Sequence, residues 1–427
     1  MKKVLKILAI VLGSLFLLLL ILPWAFRGRI VERVKQEINE QREADVNFGR
    51  VGLSFIRQFP RVSLSVRDLS VANRAPFEGD TLFSAGQLRI GVNLFSMISG
   101  NRINIRSIRL DEPRLLIRVL EDGRANWQIV DFESDDETPH DEAAPFVIGL
   151  QRLRINNGHV QYLDDKYVTY IRAHDLNGSF SGDLSASSTV LSTRDTRIGS
   201  FSLRWDKYPL LSRVAVQLSA DMDADLDDFM FVFRDNQLRL NDLPLRFDGM
   251  VGFPDDILTM DFKVGTPRSD FASFISLIPA LYMNDFQSLQ SSGNLQLGLW
   301  VKGVFTDEEV PGFGLDLEVK NGMFRYPDLP SSVDDVQILA SVRNPGGDLD
   351  RTVVDISALK MNLGGNPVDM RLNLMRPVSD PQIDMRLAGS LDLATVSQFY
   401  PLEEGIILRG LMRSDMEARG RLSQLEA

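Results

Sequence analysis

Apolar and polar residues alternate with a period of two over much of the chain. The alternation is clearest in five stretches, namely 62–66, 88–94, 214–218, 237–240 and 295–299. Successive side chains of a β-strand point to opposite faces, so each stretch predicts a strand with one apolar and one polar face. Turn-forming pairs separate these stretches: Asp122-Gly123, Asn157-Gly158, Asn177-Gly178, Asp235-Asn236, Asn321-Gly322 and Gly346-Gly347. Short, closely spaced strands of this kind predict an all-β fold whose sheet is antiparallel and built as a meander.

The N-terminal segment has a different pattern. Lys2, Lys3 and Lys6 precede an uncharged apolar run from Ile7 to Phe26, which as a helix would reach about 30 Å, the thickness of a bilayer's hydrocarbon core. A cleaved signal peptide is the alternative, but the run exceeds the usual ~7–15 apolar residues and no small-residue cleavage site follows. We therefore predict an uncleaved, single-pass transmembrane anchor with a cytoplasmic N-terminus. Its anchor residues are Ile7, Leu12, Leu17, Leu22 and, at the membrane interface, Trp24.

The second half of the chain repeats itself at an offset of 123 residues, which shortens towards the end of each copy. Leu240, Pro244, Pro254 and Asp261 match Leu363, Pro367, Pro377 and Asp384. Each copy predicts several strands followed by a short helix that covers the sheet. In the first copy Phe271, Phe274, Ile275 and Ile278 have helical spacing and Ser269 is the expected N-cap, and in the second the helix is expected over 392–400.

These patterns divide the chain into six segments. They are a cytoplasmic tip and anchor (1–26), an N-terminal β module with a leading helix (27–130), an acidic loop (131–145), a β meander (146–198), a first β repeat (199–321) and a second β repeat (322–427). The leading helix carries a narrow apolar stripe, so it lies either on the membrane surface or against the end of the β module. The acidic segment has no periodicity, which favours a solvated loop over a cation site.

Composition removes several classes of function. The net charge of −11 excludes a nucleic-acid binder with a basic face. The absence of cysteine excludes disulfides, thiolate metal sites and cysteine nucleophiles. His140, His159 and His174 are the only histidines, and the latter two are expected at the surface. Asp221, Asp223, Asp225 and Asp227 lack the glycine and glutamate of a calcium-binding EF-hand loop. We therefore predict that the protein is not an enzyme and has no metal or cofactor.

Apolar strand faces are the remaining candidate site. A repeated sheet cannot bury its apolar face alone, so a second sheet, a covering helix or a lipid must cover it. The candidate lining residues are Val214, Val216, Leu218, Phe229, Phe231, Phe233, Leu238 and Leu240. Phe229, Phe231 and Phe233 alternate with Met230 and Val232, so this strand is predicted to be apolar on both faces, and which face lines a groove stays open.

Several stretches resemble the AsmA-like envelope proteins, a group that includes TamB-type relatives and is similar to bridge-like lipid transfer proteins. The stretches are Val66–Asn73, Ile103–Pro113, Asp122-Gly-Arg-Ala-Asn-Trp127 and Val319–Tyr326. The resemblance implies an elongated, curved β-groove with an apolar floor, anchored in the bacterial inner membrane with its bulk in the periplasm. It implies phospholipid transport between envelope membranes in support of outer-membrane biogenesis. The expected partners are phospholipid acyl chains, the inner membrane and envelope-assembly proteins. A non-transporting scaffold in outer-membrane assembly is the alternative function.

Overall fold

The computed structural model describes residues 44–54, 61–93, 105–128, 151–183, 188–225, 227–254, 257–267, 269–277, 290–306, 308–325, 331–398 and 408–424. Within these ranges the chain forms twenty β-strands, one short α-helix and three short 3-10 helices, which confirms the predicted all-β class. The described residues belong to two compact units, the first comprising residues up to 185 with 202–210 and the second 186–201 with 211–427.

The strands follow one another along the chain with a single α-helix, α1, between β13 and β14. Their bounds are β1 Ala44–Asn47, β2 Val51–Ser54, β3 Arg61–Asn73, β4 Thr81–Asn93, β5 Ile105–Val119, β6 Arg152–Asp164, β7 Thr169–Ser181, β8 Ser188–Trp205, β9 Tyr208–Asp225, β10 Met230–Leu240, β11 Leu243–Gly252, β12 Leu258–Gly265, β13 Ser269–Asp270, α1 Phe271–Ile275, β14 Gln290–Phe305, β15 Gly312–Arg325, β16 Val333–Asn344, β17 Val353–Leu363, β18 Asn366–Met375, β19 Gln382–Asp392 and β20 Leu411–Arg421. The predicted segment boundaries at 198/199 and 321/322 fall inside β8 and β15.

The first unit corrects the prediction of a wholly antiparallel meander. β1 and β2 both pair with β3, and β3–β4, β4–β5 and β6–β7 are antiparallel. However, β5 and β6 are parallel, with Leu110 opposite Ile155. Parallel neighbours need a crossover of a dozen or more residues, and the chain between Val119 and Arg152, which includes the acidic segment, supplies that length.

Several predicted hairpin turns lie inside strands instead. Asn157-Gly158, Asp235-Asn236 and Asn321-Gly322 lie at irregularities of register within β6, β10 and β15, and Asn177-Gly178 lies within β7. Asp122-Gly123 and Gly346-Gly347 do form turns. Asn157, Asp235 and Asn321 all have positive φ. Asn and Asp tolerate this conformation in turns and in β-bulges alike, so the residue types alone did not separate the two.

The Asp122–Trp127 stretch forms a turn that Asn126 ties to the sheet. Asn126 is 1% exposed. Its Nδ2 donates to the Leu116 carbonyl at 2.8 Å, and its Oδ1 accepts from the Arg118 backbone N–H at 2.9 Å. Asn73, at the end of β3, donates from Nδ2 to the Asn126 carbonyl at 2.6 Å. This stretch of the sequence resemblance therefore has a structural role, because Asn126 satisfies backbone groups of β5.

In the second unit, the sequence repeat reappears as a repeat of strands. β10 and β11 coincide with β17 and β18 when moved by 123 residues. The register irregularity between Phe233 and Asn236 recurs at the same offset, between Ile356 and Leu359. Both copies of this strand pair therefore share their bounds, their register and their bulge.

The short helices differ from their predicted form. α1 has Asp270, not Ser269, as its N-cap, and the Asp270 side chain accepts from the Ser273 backbone N–H at 2.9 Å. Ser269 instead belongs to β13, and its hydroxyl donates to the Pro267 carbonyl. The second copy is a 3-10 helix, Leu393–Gln398, rather than an α-helix. Ile278 lies outside the described residues.

Candidate functional site

One face of the second unit's sheet is apolar from strand to strand. Residues directly opposite each other in an antiparallel pair lie on the same face, so the pairing register traces that face across the sheet. The row that starts at Phe247 crosses eight strands, β11 to β19 without the two-residue β13, and every member is apolar: Phe247, Val264, Leu299, Leu315, Val342, Val354, Leu374 and Ile383. We call the surface that contains this row the apolar face.

The adjacent row, one residue along each strand, defines the opposite surface, which we call the polar face. Its members are Arg246, Gly265, Gly298, Asp316, Ser341, Asp355, Asn373, Asp384 and, on β20, Arg419. Exposed ion pairs join neighbouring strands here, such as Lys302–Asp261 at 2.7 Å and Arg419–Asp384 at 2.6 Å. The charged side chains of these rows therefore lie on one face of the sheet, whereas the row on the other face is apolar throughout.

Seven of the eight candidate lining residues lie on the apolar face. Leu218 is opposite Leu238, and Leu238 is opposite Leu245. Val214, Val216 and Leu240 follow by alternation along the same strands. Phe231 and Phe233 lie beyond the β10 bulge, and they join this face because they are opposite Val251 and Gly249 of β11. Val232 is opposite Asp223 and lies on the polar face. Of the two neighbours Phe231 and Val232, Phe231 is therefore the one on the apolar face.

Phe229 does not belong to the strand face on which it was expected. β10 begins at Met230, and Phe229 lies in the preceding turn with a φ of 48° and 59% of its surface exposed. The sequence alternation continued past the end of the strand because an apolar residue occupies the turn.

Protein covers the apolar face at the strand ends nearest α1. Leu243 is completely buried in a cluster that includes Phe271 and Ile275 of α1, together with Leu295, Leu297 and Val319. Val396, in the 3-10 helix of the second copy, packs against the same cluster. The two helical segments thus do what was expected of them, since each packs on the apolar side of the sheet.

Away from α1 the same face is only partly buried. Phe233, Phe247 and Phe262 come from three adjacent strands, and the Phe233 ring centroid lies 5.8 Å from that of Phe247 and 5.5 Å from that of Phe262. All three side chains remain partly accessible, as do Phe231, Val251 and Met260 on the rows beyond them. This half of the apolar face therefore presents aromatic and aliphatic groups at its surface.

Asn236 is the polar residue in the middle of this surface, and both the nitrogen and the oxygen of its amide are hydrogen-bonded. It is buried, its Nδ2 donates to the Asp221 carbonyl at 3.0 Å, and its Oδ1 accepts from the Asp221 N–H at 2.8 Å. The side chain satisfies backbone groups left unpaired by the β10 bulge, so it adds no open polar group to the apolar face.

The polar face has its own shallow depressions. The largest described one, about 690 Å³, is lined by residues such as Gln296, Asp316, Glu318, Ser341 and Asp355. Three carboxylates, an amide and several hydroxyl groups share this lining with leucine and alanine side chains, so the depression is mixed in character rather than a continuous apolar surface.

The other candidate residues find local explanations. Asp221 pairs with Arg194 at 2.5 Å and Asp223 with Arg234 at 2.9 Å. His159 and His174, expected at the surface, are partly buried neighbours whose Nδ1 atoms lie 3.1 Å apart, so one ring donates to the other. Among the residues that the structure describes, no cluster of three potential metal ligands occurs.

The predicted transmembrane anchor, Ile7–Phe26, lies outside the described residues, as does the leading helix. In the part of the chain that the structure does describe, no helix combines the length and hydrophobicity needed to span a bilayer.

Comparison with known protein families identifies a match over most of the chain. The model of the AsmA family matches residues 1–274. That range includes the whole of the first unit and continues through most of α1 in the second. No curated protein and no solved structure matches the chain.

Proposed function

Because the chain belongs to the AsmA family, we propose that its apolar face binds phospholipid acyl chains and carries them between the membranes of the bacterial envelope. In this proposal the N-terminal segment anchors the protein in the inner membrane, the β units lie in the periplasm, and lipid delivery supports outer-membrane biogenesis. The observation that supports this proposal is the apolar face, which runs across successive strands and is only partly covered by protein.

The energetics favour a hydrocarbon ligand for this surface. Each methylene that moves from water to an apolar environment contributes about 0.8 kcal/mol. An acyl chain laid across Phe233, Phe247 and Phe262 would gain this term and would cover their accessible ring surfaces. The ion-paired polar face offers no such gain, so a lipid would have one preferred side of the sheet.

Lipid analysis of two matched variants tests the proposal. Phe231→Asp places a carboxylate on the accessible part of the apolar face, whereas Gln237→Asp places it on the polar face of the same strand, opposite Arg246. A charge among acyl chains costs about 2.5–3.5 kcal/mol, which is on the order of a hundredfold in binding. The full-length protein, purified from membranes, is analysed by mass spectrometry for bound phospholipid, and its thermal melt is recorded.

We expect the Phe231→Asp protein to keep a cooperative melt and to lose phospholipid relative to both wild type and Gln237→Asp. The Gln237→Asp protein controls for the addition of a carboxylate to β10, and a folded Phe231→Asp protein gives the baseline of lipid held by the anchor and by detergent. If wild type and Gln237→Asp carry no more lipid than Phe231→Asp, or carry none while Phe231→Asp fails to fold, the face is a dry core. The protein would then be a structural or regulatory scaffold in outer-membrane assembly.

A further inference from the structure

Two turns of the first unit, far apart in sequence, lie side by side. One joins β6 to β7 over residues 165–168, and the other joins β8 to β9 over residues 206–207. The Asp206 backbone N–H donates to the Val168 carbonyl at 2.8 Å. Val168 and Asp206 both have positive φ, of 49° and 52°. A positive φ is an outlier for a β-branched residue such as Val168. The fold therefore holds this apolar side chain in the turn although the local backbone conformation disfavours it.

Large apolar side chains are exposed around both turns. Tyr167, Val168, Trp205, Tyr208 and Leu210 each have between 38% and 54% of their surface exposed. Tyrosine and tryptophan combine an apolar ring with a polar group, which suits them to a boundary between water and an apolar medium.

Basic side chains are interleaved with these rings. Lys166 Nζ lies 4.8 Å from the centroid of the Tyr167 ring, the Arg204 guanidinium 4.1 Å from that of Tyr170, and Lys207 Nζ 5.4 Å from that of Tyr208. Three carboxylates belong to the same two turns and their edges, those of Asp164, Asp165 and Asp206, and that of Asp165 lies 3.7 Å from Arg118. We call Lys166, Tyr167, Val168, Arg204, Trp205, Lys207, Tyr208 and Leu210 the aromatic–basic patch.

We propose that the aromatic–basic patch docks on the interface of a lipid bilayer that contains anionic phospholipids. Tryptophan and tyrosine concentrate at membrane interfaces, where their rings lie at the depth of the headgroups. Lysine and arginine beside them gain from the negative surface potential of anionic lipids. Protein–protein interfaces, in contrast, are depleted in lysine, so two lysines among the aromatic residues favour a lipid surface over a protein partner. This contact goes beyond acyl-chain binding, because it concerns the first unit and uses none of the apolar face.

A single fluorescent label tests the contact directly. The chain has no cysteine, so Tyr208→Cys or Leu210→Cys can each be labelled uniquely with the environment-sensitive dye NBD. Asp122→Cys is the control, since this side chain lies in another exposed turn of the same unit. The full-length labelled protein is reconstituted into vesicles of phosphatidylcholine alone or of phosphatidylcholine mixed with phosphatidylglycerol. Brominated lipids then report whether the dye reaches the bilayer.

We expect NBD at positions 208 and 210 to shift to the blue and to be quenched by brominated lipid only when phosphatidylglycerol is present. The dye at position 122 should show neither change. This control corrects for the fact that an anchored protein always lies close to its own bilayer. Replacing Lys166, Arg204 and Lys207 by glutamine should raise the phosphatidylglycerol content needed for the shift, since three cations contribute about a hundredfold to partitioning. Emission at 208 and 210 that matches that at 122, or that responds equally in both vesicle types, would overturn the proposal. Neither result bears on lipid bound to the apolar face.

Discussion

The assignment of the two sheet faces can be tested by making the same substitution on each. Leu243 lies on the apolar face under α1, and Leu339 lies on the polar face, opposite Glu318. Both are leucines in strands of the second unit, so Leu243→Ala and Leu339→Ala remove identical atoms. The two variants differ in what surrounds the side chain.

The expected magnitudes follow from exposure. Leu243 is 0% exposed, and removing a fully buried leucine side chain to alanine costs about 2.7–5.0 kcal/mol, because the cavity adds to the lost transfer free energy. Leu339 is 50% exposed, so its truncation forfeits about half of the 1.5–3 kcal/mol that full burial of such a side chain provides, or about 1 kcal/mol. The two losses of stability should differ by at least about 2 kcal/mol.

Hydrogen exchange of the full-length protein measures this difference without requiring that the whole chain unfold in one step. Amides of β11 and β14 should exchange on the order of a hundredfold faster in Leu243→Ala than in wild type, and about fivefold faster in Leu339→Ala. Equal effects of the two substitutions, or a larger effect of Leu339→Ala, would show that the buried side of the sheet has been assigned to the wrong face.

Three further outcomes are expected. Asn126→Ala should destabilise the first unit by about 3 kcal/mol, measured by exchange of β5 amides, because it leaves buried backbone groups unpaired. Phe229→Gly should give the second unit a higher melting temperature than Phe229→Ala, since both lose the same ring but only glycine avoids the ~1–2 kcal/mol cost of positive φ, and the reverse order would contradict this. Hydrogen bonds from the Ser379 hydroxyl and from the Ser379 and Val378 N–H groups lower the pKa of Asp350. The stabilisation is present above the pKa that Asp350 has in the unfolded chain, and it is lost as the pH falls through the lower pKa of the folded state. Hydrogen exchange of amides in the 376–381 turn should therefore accelerate below about pH 4 in wild type but not in Asp350→Asn.

The sequence predicted the faces of the strands better than their connections. Alternation with a period of two reports which side chains of one regular stretch share a face whatever the topology, so Val216 could be grouped with Leu218 and Phe231 with Phe233. It carries no information on whether neighbours run parallel, because that depends on the path of the connection. The segment that connects β5 and β6 has no periodicity, so the sequence could not predict that these two strands are parallel.

The aromatic–basic patch shows a second limit of sequence reading. Lys166-Tyr167-Val168 and Trp205-Asp206-Lys207-Tyr208 each read as an ordinary polar turn with an aromatic residue. Their combined character arises from tertiary contacts that bring together turns separated by two strands, β7 and β8. A cluster of this kind has no signature at any fixed spacing along a sequence.

The bulges explain how the apolar face stays continuous although the alternation changes phase along a strand. In β10 the apolar positions are odd at Phe231 and Phe233 but even at Leu238 and Leu240, and a regular strand would send the two pairs to opposite faces. Three steps along β10, from Phe233 to Asn236, match two steps along β11. The one extra residue turns the second pair back to the face of the first. β17 makes the same change of phase between Ile356 and Leu359. The change of phase and the bulge thus occur together in both copies, so what the two repeats have in common is an uninterrupted apolar face, the feature on which lipid binding would depend.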